Sequence, residues 1–174
     1  MTAYKIDTAH SKIGFSVRHM MFAKVRGAFT KWSADLTLDP SAIASSSVNV
    51  TIDASSVDTG EAQRDGHLKS PDFLDVAKYP TITFASRKVE NAGTGKFKVT
   101  GDLTIHGVMN PAILDVEELG RGKDPWGHER IAFGAKTTVD RKSFGLGWNQ
   151  VLEAGGVLVG EHVEIEIDVQ TVAS

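Results

Sequence analysis

A chain of 174 residues with 41% hydrophobic and 24% charged residues has the composition of one ordinary globular domain, 1–174, with enough apolar material for a core of its own. Nineteen Lys and Arg against twenty-two Asp and Glu give a net charge of −3 with no basic block, so no nucleic-acid partner is expected. The absence of cysteine removes zinc fingers, thiol nucleophiles, redox motifs and disulfide scaffolds together.

The opening MTAYKIDTAH alternates like a strand and has no charged segment followed by an apolar one, which gives the expectation of a cytoplasmic protein. No apolar run approaches the ~20 residues needed to cross a membrane, so the chain is not expected to span one. From there the hydrophobic period is two over most of the length. SKIGFSVRH places Ile13, Phe15 and Val17 on one face, and FTKWSADLTL does the same for Trp32, Ala34, Leu36 and Leu38. SVNVTID (Val48, Val50, Ile52) and TITFAS (Ile82, Phe84) follow. KFKVTGDLTI alternates through Phe97, Val99, Leu103 and Ile105, with Gly101 at its middle as a candidate bend. PAILDVEEL is less regular, RIAFGAKTTV carries Ile131, Phe133, Ala135 and Val139, and HVEIEIDVQTV carries Val163, Ile165, Ile167 and Val169.

About eight strands, each with one dry face, predict an all-β fold, and an antiparallel barrel gives every dry face a single shared interior while removing exposed edges. The long strands favour the barrel over a two-sheet sandwich. Two segments break the period. Ala54 to Tyr79 is too long for a structureless loop. Asp58 with Glu61 resembles a capping-box start, and Ser70-Pro71 resembles an N-cap with proline in the first turn, which predicts one or two short helices around residues 58–78. The glycine-rich DRKSFGLGWNQVLEAGGVLVG reads as a mobile rim loop.

Asp65 and His67 stand two apart in RDGHL, a general base with an orienter in principle, but residues two apart on a helix do not face each other, so capping is the better reading. Histidines at 10, 19, 67, 106, 128 and 162 show no metal-binding spacing, and no metal or cofactor is expected. GTGK at Gly93 to Lys96 fails as a phosphate loop, because Glu90 stands where a glycine is required and Phe97 where Ser or Thr would bind magnesium. Continuing the Ile13, Phe15, Val17 face by two residues reaches His19, an imidazole on the dry side, read either as a satisfied core histidine or as a polar contact at the end of an apolar cavity.

YKIDTAHSKIGFSVRHM, VRGAFTKW, RDGHLKSPDFLDVAKYPTITF, VTGDLTIHG and VDRKSFGL, in this order over nearly the whole chain, resemble the YceI-like family. The resemblance implies an eight-stranded antiparallel lipocalin-like barrel whose hydrophobic tunnel binds polyisoprenoids or comparable long-chain lipids. Many members of that family are periplasmic. It implies no catalytic residues, and carries ligand contact onto Ile13, Phe15, Val17, His19, Phe29, Trp32, Phe73, Ile82, Phe84, Val99, Leu103 and Phe144. The expected protein is a non-enzymatic carrier or sequestering protein for a long-chain isoprenoid or fatty lipid, with a homodimer left open. The rivals are a hydrolase or isomerase working through His19 or Asp65 and His67, and a barrel filled by its own side chains. The rim loop Phe144 to Gly156, with its glycines and aromatics, is the expected gate.

Overall fold

Eleven strands in one antiparallel sheet make up most of the computed structural model, which describes residues 3–149 and 158–173. In chain order they are β1 (Tyr4–Ile6), β2 (Lys12–His19), β3 (Ala23–Phe29), β4 (Trp32–Thr37), β5 (Ser47–Asp53), β6 (Val57–Asp58), β7 (Thr81–Gly93), β8 (Lys96–Ile105), β9 (Val108–Lys123), β10 (Glu129–Asp140) and β11 (Val159–Ala173). A single α-helix, α1 (Ala62–Lys69), lies between β6 and β7. The sheet order is β4-β5-β7-β8-β9-β10-β11-β2-β3-β6, with β1 paired to the end of β11.

Each of the eight segments with period-two alternation contains a strand. Three short or diluted strands bring the number to eleven: β1, β6, and β3, whose Lys24, Arg26 and Gly27 interrupt the apolar signal. FTKWSADLTL is not one strand, since β3 ends at Phe29 and β4 begins at Trp32. Consecutive β3 and β4 form no ladder among the described residues, so the sheet is curled without being hydrogen-bonded all the way round. The start of the insertion bridges that corner. Asp53 N donates to Lys31 O (3.0 Å) and Thr30 N to Ser56 O (3.2 Å), while β6 pairs with Ala28 and Phe29.

One helix forms in the insertion, and its caps differ from those expected. Glu61 is the N-cap, accepting from Gln63 N and Arg64 N at 2.9 Å. Ser70 closes the helix, its hydroxyl donating to His67 O (2.6 Å), instead of opening a second one. After Pro71 the chain reverses, with Leu74 N donating to Leu68 O and Val76 N to Lys69 O, and Asp75 adopts a φ of 48°. A tight reversal therefore uses the Ser-Pro pair as a turn.

The end of the sheet away from α1 is stapled. Tyr4, Leu38 and Ile131 form a small buried cluster there. Beside it Arg130 donates to Asp7 (2.8 Å) and Asp124 (3.0 Å), and Arg121 to Pro40 O (2.8 Å). The bonds from Arg130, then His10, hold the Asp7 carboxyl down at about 2 against its ordinary 3.8. A depressed carboxylate stabilises the fold above its unfolded pKa and loses that contribution as the pH falls through the folded one. Wild-type stability should therefore decline between pH 3.8 and about 2. Asp7→Asn should flatten that stretch of a denaturation series read by circular dichroism, and an unchanged profile would remove the staple from the account.

Candidate functional site

The inner face of the curled sheet encloses a cavity of about 320 Å³. That volume lies within the range of small-molecule sites. Alternation builds its wall. Val48, Val50 and Ile52 of β5 face in, as do Phe97, Val99, Leu103 and Ile105 of β8, and Val163, Ile165, Ile167 and Val169 of β11. The irregular PAILDVEEL segment contributes in the same manner through Ala112, Leu114 and Val116. Leu68, Phe73 and Leu74 from the insertion close one end, together with Phe144 and Leu146.

Of the twelve residues named from the sequence, eleven line this cavity: Ile13, Phe15, Val17, Phe29, Trp32, Phe73, Ile82, Phe84, Val99, Leu103 and Phe144. His19 does not. It pairs with Ala23 and Val159 at the last position of β2, and the β2 contribution to the wall ends at Val17.

Two glycines make room for aromatic rings in the wall. A Cβ on Gly101 would stand 2.5 Å from both the Phe84 ring and the Ala85 carbonyl oxygen, and one on Gly27 would stand 2.5 Å from the Phe15 ring. The register shift in β7 between Ser86 and Lys88 lies opposite Gly101, so this glycine serves both a bulge and a close approach. The carbonyl contact cannot be relieved by turning a side chain. Gly101→Val should cost about 1–3 kcal/mol by denaturant titration, and a cost below half of that would contradict the packing of Phe84 over Gly101.

The polar part of the cavity end is Arg141, which the sequence reading did not single out. Its signal was there: 133, 135, 137 and 139 alternate inward, and 141 is the next inward position. The residue is 3% exposed. Its Nε donates to Gly160 O (2.7 Å), Nη1 to Leu146 O and to Trp148 O (2.9 Å), and Nη2 to Val159 O (3.3 Å). Burial pushes its pKa down, against the opposing pull of Glu161 and Asp140. The guanidinium also lies 5.9 Å from the centre of the Phe73 ring. It therefore ties the segment after β10 to the start of β11 beneath the insertion.

Asp65 and His67 do not bond to each other. Asp65 accepts from Thr59 N (2.8 Å) and the Thr59 hydroxyl, which holds its pKa low, and Arg64 donates to the same threonine. His67 meets Asp72 (2.9 Å), and its ring contacts Phe73 (5.0 Å) and Trp148 (4.7 Å) edge-on. These groups fasten the insertion to the segment beyond β10. Phe144, expected to offer surface in a gate, is buried in the wall, and Trp148 packs on Phe73 at 5.3 Å. The rest of the expected gate, 150–156, lies outside the described residues. Among the described residues no three His, Asp or Glu side chains converge to hold a metal ion, and no helix is long and apolar enough to cross a membrane.

Known proteins share both the sequence and this architecture. The family model described as the YceI-like domain matches residues 4–171. A UPF0312 protein of Vibrio cholerae is 40% identical over 171 residues, 97% of this chain and 86% of that protein. Another from Vibrio parahaemolyticus is 44% identical over 145 residues, 82% of this chain and 77% of its own. Among solved structures, BcnA of Burkholderia cenocepacia superposes with a TM-score of 0.84 at 28% identity, covering 95% of this chain and 99% of that one. A Campylobacter jejuni YceI protein gives 0.75 at 31% identity, covering 100% and 99%. A polyisoprenoid binding domain from Saccharophagus degradans gives 0.70 over 100% of both chains, and at 17% identity it shows the fold alone. Matched along nearly its whole length in sequence and in fold, the chain belongs to the YceI-like family.

Proposed function

We propose that this protein binds a long-chain isoprenoid or similar apolar lipid in its cavity, and carries or sequesters it without chemistry. The observation that carries the reading is the cavity wall, supplied by alternate apolar residues of nearly every strand and closed at one end by apolar residues of the insertion. The resemblance in fold to a domain described as polyisoprenoid-binding supports the choice of ligand class. The eleven wall residues named from the sequence are the proposed ligand contacts. The arrangement favours reach over directionality: at about 0.3 kcal/mol per heavy atom, twenty carbons provide roughly 6 kcal/mol, a Kd of tens of micromolar. Longer chains tighten this until the cavity is filled.

Titration of lipid-stripped protein with polyprenols of increasing length, read by Trp32 and Trp148 fluorescence, tests the reading. Affinity should rise with length and then level off at a stoichiometry of one. No saturable signal at any length would contradict it. For the catalytic rival, turnover of an apolar ester or isoprenoid by the wild type, lost in a folded Asp65→Asn/His67→Gln protein, would replace binding with chemistry.

A further inference from the structure

We infer that the tip of the β2–β3 hairpin docks the protein on an anionic lipid bilayer. The tip is Met20, Met21 and Phe22, which are 41%, 55% and 77% exposed. Three consecutive large apolar side chains facing water at a turn are unusual for a soluble surface, where turns are built from Gly, Asn, Asp and Ser. The backbone there is also of a kind that those small residues normally supply: Met20 has a φ of 55° and Met21 of 69°. Methionine in the left-handed region is strained.

The strands behind the tip carry matching charge. Arg18 pairs with Lys24 across the hairpin, and Ser16 with Arg26, so the three cations share its outer face, opposite the inward Phe15 and Val17. Like charges placed across a ladder repel. Lys24 meets Glu164 at 3.5 Å, whereas Arg18 and Arg26 form no ion pair among the described residues. Glu161 at the start of β11 meets Lys142 at 2.7 Å. An apolar tip ahead of a basic face suits a bilayer with anionic headgroups: the tip enters the interface while the cations meet the surface charge.

The place of the tip in the fold gives the docking a purpose. Met20 N donates to Leu158 O (2.8 Å), His19 pairs with Val159, and the carbonyls of Val159 and Gly160 hold Arg141 in the cavity wall. Docking would therefore bring the Arg141 end of the cavity toward the bilayer. The inference goes beyond lipid binding and does not depend on what fills the cavity.

Flotation of the purified protein with vesicles of phosphatidylcholine alone, or of phosphatidylcholine with phosphatidylglycerol, tests it. The wild type should float with the anionic vesicles and much less with the neutral ones. Met20→Asn/Met21→Gly/Phe22→Ser, which puts residues tolerant of the left-handed backbone at the strained positions, should keep its thermal midpoint and weaken vesicle binding by about tenfold or more, the scale of one large apolar side chain withdrawn from the interface. Arg18→Ser/Arg26→Ser should abolish the preference for anionic vesicles. Native mass spectra of the same proteins report cargo separately, so loss of docking and loss of cargo are distinct results. The inference is overturned if the wild type floats with neither vesicle, if the tip variant floats equally well, or if the tip substitutions dissolve a dimer and leave flotation unchanged, which would assign the tip to a second copy of the chain.

Discussion

Phe84→Asp should lose retained lipid and at least about 3 kcal/mol of stability. Phe84 is 7% exposed, pairs with Val50 on one side and Leu103 on the other, and lays its ring over Gly101. The substitution removes a ring that fills the space left by the glycine, and places in an apolar wall a carboxylate with no partner there. Phe84→Leu serves as the control, since it keeps the wall apolar: it should cost less and retain cargo. Circular dichroism establishes folding, and bound lipid is read by mass. A folded Phe84→Asp protein carrying the same cargo as the wild type would place the ligand elsewhere.

Arg141→Met should cost about 3 kcal/mol or more, because it leaves several carbonyl oxygens without their donor. The carbonyls of Leu146, Trp148, Val159 and Gly160 all accept from this one guanidinium, from both ends of the segment that joins β10 to β11. Arg141→Lys should recover only part of the loss, since an ammonium lacks the planar fork that reaches four acceptors. Urea titration of the two variants checks both statements, and near-wild-type stability of Arg141→Met would mean that the carbonyls find other donors.

The sheet was the easiest part to read in the sequence. Alternation such as Val163, Ile165, Ile167 against Glu164, Glu166, Asp168 is dictated by one dry and one wet face, and it located eight strands and the wall they form. What escaped depends on contacts between distant segments. β6 is two residues long and exists because Val57 and Asp58 meet Phe29 and Ala28, which no local pattern announces. β3 hid because its outward Lys24 and Arg26 are followed by Gly27, which makes room for the Phe15 ring and the Thr59 methyl. Ser70-Pro71 is equally compatible with starting a helix and with ending one, and the bond from Leu74 N to Leu68 O decides for the turn. His19 continued the alternation of β2 one step too far: it is the last residue of the strand, and Val17 is the last β2 residue in the wall. Arg141 obeyed the same alternation and was overlooked, since a charged residue is read as outward unless its acceptors are known.

The most direct test of the account is the native mass spectrum of the protein purified without detergent. A population heavier than the polypeptide by the mass of one long-chain lipid is expected, released on unfolding and absent from Phe84→Asp that remains folded. A spectrum of bare polypeptide only, from a protein that also takes up no polyprenol when offered one, would contradict it and leave a wall that serves packing alone.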